Sequence, residues 1–282
     1  MTEQTDIPLH AHPHAGREIL FTLPPEGVTP HPTPLLFLHG AFAGAWMWTD
    51  NFLPWFARQG YCGYALSLRG HGASEGGDHL DALSINDYVE DTEAAVAWLS
   101  GQHTRPPALI GHSMGGFVIQ KYLESHRAPA AALLCAVPPQ GLLLSQFNLL
   151  AQRPGLLMDL NKLLSGEDVR LSTVREALFA QPTHNTLLEH FRSHMQLESQ
   201  RALWDMSSVF NLPLLPAMLR PPLLVIGAEK DVLVPAFLVE ATARTYSVET
   251  HIFKGMGHAV THEKDWTQVA ELLKGWLDET LD

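Results

Sequence analysis

Short runs of uninterrupted apolar residues, most of them followed by a helix-like segment, constrain this chain more than any other feature. The runs are LLFLHG (35–40), CGYALSLRGHG (62–72), ALIGH (108–112), AAALLCAV (130–137), PLLVIGA (222–228) and THIFK (250–254). A strand that is apolar at every position must be covered on both faces, as happens in parallel sheets. The alternation therefore predicts an α/β fold with a mostly parallel central sheet and helices on both faces.

Five segments show the spacing of apolar residues that is typical of helices covering such a sheet. They are residues 46–59, 84–100, 113–125, 235–245 and 264–280. Ser84 followed three residues later by Asp87 resembles a capping box, which marks the start of the second helix.

One interval, residues 140–217, interrupts the alternation because it contains short amphipathic stretches and no strand-like run. Ordinary connections between elements have about 2–6 residues, so we interpret this interval as an inserted helical cap. Residues 1–139 and 218–282 would then form the α/β core. Within the His- and Pro-rich start, we expect residues 1–16 to be a flexible tail.

Charge and cysteine content exclude several kinds of partner and compartment. The net charge is −12 and no basic cluster occurs, so we expect no nucleic-acid partner. No run approaches the about 20 apolar residues of a membrane span, and no signal peptide is visible, so we expect no membrane association. The two cysteines, Cys62 and Cys135, lie in apolar runs and predict buried free thiols. These features favour a cytoplasmic protein.

The stretch GHSMG (111–115) places a serine at the junction of a predicted strand and a predicted helix. Ser113 fits the G-x-S-x-G pattern, in which a tight strand-to-helix turn lifts a nucleophile above the sheet. Glycines at 111 and 115 provide the small residues that such a turn requires. The alternative is a glycine-rich turn in which Ser113 only caps the helix.

A serine nucleophile needs a base and an acid that orients the base, and functional groups gather at the carboxyl ends of parallel strands. His258 follows the last strand between two glycines, which makes it the candidate base among 16 histidines. Asp231 follows the strand PLLVIGA and is the candidate acid, with Glu229 as the alternative. The resulting chain order is Ser113, Asp231, His258, as described for nucleophile-elbow enzymes.

With these motifs in view, the chain resembles proteins of the α/β-hydrolase fold over nearly its whole length outside the tail and the cap. The resemblance rests on HGAFAGAWMW (39–48), LRGHGAS (68–74), GHSMGG (111–116) and the Asp231/His258 pair. The first motif is similar to a methylesterase and hydroxynitrile lyase branch, whereas the second is similar to an esterase and epoxide-hydrolase branch. Because Ser113 stands where haloalkane- and epoxide-cleaving relatives carry aspartate, the resemblance does not favour those reactions.

The resemblance also assigns an oxyanion hole. Its donors would be the backbone N–H groups of Ala41, after the HG pair, and Met114, next to the nucleophile. The helix N-terminus that follows Ser113 independently favours Met114. The candidates for lining the substrate pocket are Phe42, His112 and Val260. A core position remains open for Phe42, and a packing or hydrogen-bonding role remains open for His112.

We expect neither a cofactor nor a metal. The sequence has no P-loop and no dinucleotide-type glycine fingerprint. The tail histidines His10, His12, His14 and His31 lack acidic or cysteine partners at ligand spacing. We expect the partner to be a small-molecule substrate. We expect the protein itself to be a monomer or homodimer.

The resemblance implies a serine hydrolase that cleaves small or medium hydrophobic carboxylic esters, with lactones or thioesters as further substrates, through an acyl-enzyme. Two alternatives stay open. The same three residues serve C–C hydrolysis, cyanohydrin lysis or cofactor-free oxygen chemistry in relatives. A ligand-binding receptor with vestigial activity would also keep them, because a fold does not dictate a function.

Overall fold

The computed structural model describes residues 7–207 and 221–282 of the chain, and within them eight strands form one sheet. In chain order the strands are β1 His10–His14, β2 Arg17–Thr22, β3 Leu35–Leu38, β4 Gly63–Leu66, β5 Ala108–His112, β6 Ala131–Leu134, β7 Leu223–Ala228 and β8 Thr250–Phe253. Across the sheet their order is β1-β2-β4-β3-β5-β6-β7-β8. The pairs β1–β2 and β2–β4 are antiparallel and the others are parallel, which confirms the predicted mostly parallel sheet.

Helices occupy most of the segments between the strands. The described α-helices are α1 Phe52–Arg58, α2 Ile85–Gln102, α3 Met114–Tyr122, α4 Leu143–Gln152, α5 Pro154–Leu164, α6 Leu171–Leu178, α7 Asn185–His194, α8 Gln200–Ser207, α9 Ala236–Tyr246 and α10 Trp266–Leu281. Short 3-10 helices span Ala45–Trp48 and Gly77–Ala82. The helix α2 begins with the predicted capping box: Ser84 Oγ accepts the Asp87 N–H, and Asp87 accepts the Ser84 N–H at 2.8 Å.

The strand β3 shows why its sequence is apolar throughout. Its alternate side chains enter two different hydrophobic clusters, one on each face of the sheet. Leu36 and Leu38 pack in a cluster with residues of α2, α3 and α9. Leu35 and Phe37 pack in a second cluster with residues of α1 and α10. Both faces of the central strands are therefore buried, as the continuous apolar runs predicted.

The structure corrects the prediction of a flexible tail over residues 1–16. Residues His10–His14 form the edge strand β1, in antiparallel register with β2. The rings of His12 and His14 stack on Trp98 of α2, with ring centroids 4.8 and 5.4 Å apart. An edge strand bonds to one neighbour only and needs no apolar run, so its polar composition concealed it. Residues 1–6 lie outside the described part of the chain.

Five of the described helices, α4–α8, lie between β6 and β7 in the interval predicted to be a helical cap. We call the segment Leu143–Ser207 the cap; residues 208–217 of the predicted interval are outside the described residues. Two small apolar clusters join it to the rest of the protein. Phe179 and Phe191 pack with Ala259 in one cluster. Leu149 packs near Leu233 in the other.

Two observations address the expected environment of the protein. Within residues 7–207 and 221–282, no helix is long and apolar enough to cross a membrane. The two cysteines, Cys62 and Cys135, are both free and buried, as predicted from the apolar runs that contain them.

Candidate active site

Ser113 lies at a strained turn between the end of β5 and the start of α3. Its backbone has φ 53° and ψ −116°, a combination rarely adopted by a residue other than glycine. The flanking glycines make the turn possible. A Cβ at residue 111 would lie 2.5 Å from the Gly116 nitrogen, and one at residue 115 would lie 2.6 Å from the His39 carbonyl oxygen. The G-x-S-x-G spacing therefore follows from steric exclusion on both sides of Ser113.

The predicted base and acid meet at the carboxyl ends of β7 and β8. His258 Nδ1 lies 2.7 Å from Asp231 Oδ2, and both side chains are buried. The other carboxylate oxygen, Oδ1, accepts the backbone N–H groups of Leu233 and Val234, each at 2.8 Å. These bonds leave Asp231 one orientation, with Oδ2 facing the imidazole.

The alternative acid, Glu229, points elsewhere. Its side chain is 44% exposed, and its Oε2 accepts the backbone N–H of Gly255 at 3.0 Å. The structure thus brings Asp231 to His258 and leaves Glu229 as a loop charge that is accessible to solvent.

A cavity of about 230 Å³ lies beneath the cap and contains the candidate site. Ser113 and His258 line it together with the predicted oxyanion residues Ala41 and Met114. The loop of Ala41 approaches the serine closely, because a Cβ at Gly40 would lie 3.0 Å from Ser113 Cβ. More than half of the remaining lining residues belong to the cap, and most of these cap residues are apolar, among them Leu149, Leu157, Leu160, Leu163, Val174 and Phe191.

Two of the three predicted pocket residues, Phe42 and His112, line this cavity. Val260 does not, which corrects the third prediction. Its side chain is fully buried in the hydrophobic cluster that includes residues of α1 and α10. The backbone turns after His258, where the Val260 N–H donates to the His258 carbonyl at 2.9 Å. This turn directs the side chain of Val260 into the core.

His112 supports the histidine loop. Its Nε2 donates to the backbone carbonyl of His258 at 2.9 Å, and the two imidazole rings lie 4.7 Å apart. Burial, together with the neighbouring His258, lowers the pKa of His112 to about 3. His112 is therefore neutral at physiological pH and acts as a hydrogen-bond donor, not as a second charged base.

Cys135, predicted from the sequence as a buried thiol, also lies close to the proposed acid and base. It follows β6 with φ 45°, and its Sγ lies within 4.8 Å of the ligand atoms of Asp231 and His258. Burial, together with the neighbouring Asp231 carboxylate, raises the pKa of the Cys135 thiol well above its usual value. Among the described residues, these three side chains form the group that could hold a metal ion. The 2.7 Å bond between His258 and Asp231 already occupies two of the donor atoms.

Comparison with known proteins gives the class to which this arrangement belongs. A sequence profile of the alpha/beta hydrolase family matches residues 35–272. The monoacylglycerol lipase of Mycolicibacterium smegmatis is 27% identical over 235 residues, which cover 79% of this chain and 80% of the lipase. A non-heme haloperoxidase of Rhodococcus erythropolis is 34% identical over 109 residues, 38% of each chain. A solved esterase of Exiguobacterium antarcticum shares the fold, with a TM-score of 0.71 and 19% identity over 95% of this chain and 98% of that one.

A serine at a tight strand-to-helix turn, with a histidine and an aspartate after later strands of a parallel sheet, is the arrangement typical of the α/β-hydrolase fold. The family profile extends from β3 into α10. The chain therefore belongs to the alpha/beta hydrolase family, and it is a hydrolase of that fold.

Proposed function

We propose that this protein is a serine esterase that cleaves small or medium hydrophobic carboxylic esters through an acyl-enzyme. The observation that carries the proposal is the 2.7 Å contact between His258 Nδ1 and Asp231 Oδ2, beside a cavity that Ser113 also lines. An ionised carboxylate only accepts hydrogen bonds, so the contact holds the imidazole proton on Nδ1. The other ring nitrogen, Nε2, is then free to accept a proton from a serine hydroxyl.

In the proposed reaction, His258 Nε2 takes the Ser113 proton while Oγ bonds to the carbonyl carbon of the ester. The carbonyl oxygen becomes an oxyanion and accepts hydrogen bonds from the N–H groups of Ala41 and Met114. When the tetrahedral intermediate collapses, His258 passes its proton to the departing alkoxide and the alcohol leaves. A water that His258 deprotonates then attacks the acyl-enzyme, and the carboxylic acid is released with Ser113 reprotonated.

The cavity wall supports the proposed substrate class. Apolar side chains from α4, α5 and α6 surround the space next to Ser113, which favours an uncharged hydrophobic acyl or alkyl group. The name of the lipase relative assigns it monoacylglycerols, which carry one ester bond to an aliphatic chain. Such a substrate agrees with the proposed substrate class. Lactones and thioesters react through the same acyl-enzyme chemistry and are the next candidates.

The proposal is tested by hydrolysis of p-nitrophenyl esters from acetyl to dodecanoyl, with wild-type protein and the Ser113→Ala variant. We expect turnover that Ser113→Ala abolishes, with an optimum at short or medium chain length. Ser125→Ala, at an exposed serine, is the matched control and should match wild type. Ester turnover that survives in Ser113→Ala would contradict the proposal.

Negligible turnover by folded wild-type protein would also contradict it. In that case a fluorophosphonate probe and mass spectrometry would separate the alternatives. Labelling of Ser113 without ester turnover would direct the search to C–C hydrolysis, cyanohydrin lysis or oxygen chemistry. Absence of labelling would favour a ligand-binding role.

A further inference from the structure

The cap segment Gln196–Ser199, which lies between α7 and α8, binds the backbone of Phe42 on both sides of the residue. The Gln196 N–H donates to the Phe42 carbonyl at 3.1 Å. The Phe42 N–H donates to Glu198 Oε2 at 3.3 Å. Phe42 directly follows Ala41, the residue whose own N–H is the proposed oxyanion donor. The cap therefore does more than form part of the cavity wall: it also bonds to the main chain next to that donor.

Phe42 has an unusual backbone that needs such support. Its φ is 63°, in the left-handed region that a bulky residue rarely adopts. Strained backbone of this kind persists only where the surrounding structure holds it in place. The two bonds from Gln196 and Glu198 restrain Phe42 from the cap side.

Glu198 is itself fixed within the protein. Its side chain has no exposed surface, and it accepts hydrogen bonds from four groups. They are the Phe42 N–H, His71 Nε2 at 3.0 Å, the Tyr88 hydroxyl at 2.7 Å and the Ser199 N–H at 2.8 Å. A buried carboxylate persists only when its oxygens are satisfied in this way. The contacts join the cap to α2 and to two loops that follow strands of the sheet.

The pair of Glu198 and His71 is ionic. Burial alone would raise the pKa of Glu198, but the charge of His71 and the hydrogen bonds hold it below its usual value. Burial alone would lower the pKa of His71, but the charge and hydrogen bond of Glu198 hold it above its usual value. A fixed negative charge therefore attracts the Phe42 N–H, because hydrogen bonds to a charged acceptor are stronger than neutral ones.

The loop that carries His71 is held by the same cap segment. The Gln196 side chain accepts the Gly72 N–H and donates to the Gly70 carbonyl, each at 2.8 Å. The His71 Nδ1 atom donates to the Arg69 carbonyl at 3.1 Å. Gln196 and Glu198 thus bridge the loop after β3 to the loop after β4, so that neither can shift independently of the cap.

From these contacts we infer that Glu198 is a positioning residue for the oxyanion hole. Glu198 holds Phe42 in place so that the Ala41 N–H faces the reacting carbonyl. The cap is then part of the catalytic geometry, and the oxyanion loop is correctly placed only when the cap is seated. The inference rests on the proposed esterase function, because the oxyanion that it invokes forms when Ser113 adds to an ester carbonyl.

The main variant is Glu198→Gln, which keeps the size of the side chain and removes its charge. A glutamine has one acceptor oxygen, and its NH₂ group must face either the Phe42 N–H or the Ser199 N–H, both of which are donors. Tyr88→Phe is a milder variant, because it removes one donor to Glu198 and leaves the charge. Asp205→Asn is the matched control: Asp205 is also a cap carboxylate that accepts a core backbone N–H, that of Ile85 at 3.1 Å.

The measurements are kcat and KM on the best p-nitrophenyl ester, with kcat expressed per serine labelled exhaustively by a fluorophosphonate. This normalisation removes loss of activity caused by unfolded protein. The affinity for an alkyl boronic acid provides a second readout, because its tetrahedral adduct on serine places an oxygen in the oxyanion hole.

We expect Glu198→Gln to lower kcat per labelled serine by about 10- to 100-fold, since loss of an oxyanion donor or its alignment has effects of that order or larger. KM should change by less than about threefold, and boronate affinity should fall in parallel with kcat/KM. Tyr88→Phe should lower kcat by about three- to tenfold, in line with one hydrogen bond. Asp205→Asn should match wild type.

The inference is overturned if Glu198→Gln keeps kcat per labelled serine within about twofold of wild type, or if only KM changes. If Glu198→Gln does not fold, unchanged kcat and boronate affinity in Tyr88→Phe overturn it in the same way. An equal fall of kcat in Asp205→Asn would overturn it as well, because the effect would then belong to cap stability in general. Failure of the esterase proposal is distinguishable, since wild-type protein would then show no turnover dependent on Ser113.

Discussion

Glu263 holds the backbone N–H of Gly257, one residue before His258, at 2.7 Å. The same carboxylate oxygen accepts the Ala180 N–H of the cap at 2.6 Å. The side chain of Glu263 is buried, and a Cβ at Gly257 would lie 2.8 Å from the Ala180 nitrogen. The loop of the proposed base is therefore tied to the cap by one buried carboxylate, as the oxyanion loop is tied by Glu198.

Replacing Glu263 with glutamine should therefore loosen both the cap and the histidine loop. One acceptor oxygen of a glutamine cannot serve all the N–H groups that Glu263 binds, so we expect a loss of about 1–3 kcal/mol in the free energy of unfolding. Activity per labelled serine should fall by about tenfold, the order expected for a modest misalignment of the base. Urea unfolding and p-nitrophenyl ester kinetics measure the two effects. Glu279→Gln, at an exposed site on α10, should change neither.

Asp231→Asn should abolish most activity while the protein stays folded. The Leu233 and Val234 N–H groups require an acceptor at the Oδ1 position, so the amide NH₂ would face His258 Nδ1. The imidazole would then carry its proton on Nε2 and could not accept one from Ser113. By analogy with serine proteases, kcat should fall by about 10⁴-fold. Glu229→Gln, at the alternative acid, should retain wild-type kcat, and the opposite ranking would contradict the assignment of Asp231.

The Glu198–His71 pair should make stability depend on pH in a defined direction. The pKa of His71 is above its usual 6.5, so its contribution is complete below pH 6.5 and is lost as the pH rises through the raised value. The pKa of Glu198 is below its usual 4.5, so its contribution is complete above pH 4.5 and is lost on acidification through the lowered value. The pair therefore stabilises the fold most between pH 4.5 and 6.5.

Urea unfolding of wild type and Glu198→Gln at two pH values tests this dependence. At about pH 5.5 the free energy of unfolding of Glu198→Gln should be lower than that of wild type by about 3–5 kcal/mol, the cost of breaking a buried ion pair. At about pH 9 the difference should be smaller, because His71 loses its charge as the pH rises through its raised pKa. A difference that stays constant over this range would mean that the pair is not ionic.

The two glycines Gly115 and Gly101 should respond in opposite ways to replacement by alanine. A Cβ at residue 115 would contact the Leu38 and His39 carbonyl oxygens, which are backbone atoms that cannot move aside. Gly115→Ala should therefore destabilise the protein by more than about 2 kcal/mol and remove esterase activity. A Cβ at Gly101, within α2, would meet nothing within 4 Å. Gly101→Ala should therefore raise the free energy of unfolding by about 0.4–1 kcal/mol, with a slightly higher melting temperature.

Local chemistry made the main features of this protein predictable from its sequence. A strand buried on both faces must be apolar at each position, so β3, β4, β5 and β6 are visible without any partner. Ser113 needs small residues two positions before and after it, and the motif GHSMG (111–115) shows both glycines. His258 and Asp231 follow strand ends, and parallel strands bring such ends to one edge of a sheet. The order and spacing of these signals determined the fold class and the three candidate residues.

Contacts between distant segments decided the rest. The Phe42 backbone meets Glu198 across 156 positions of the chain, and no local pattern in MQLESQ marks that glutamate as an anchor. The sequence predicted neither the direction of the Val260 side chain nor the edge strand His10–His14, because each depends on neighbours that folding supplies. Buried polar groups are placed by the partners that satisfy them. The sequence therefore determined the sheet and the proposed catalytic residues, whereas only the tertiary structure decided how the cap is fastened to them.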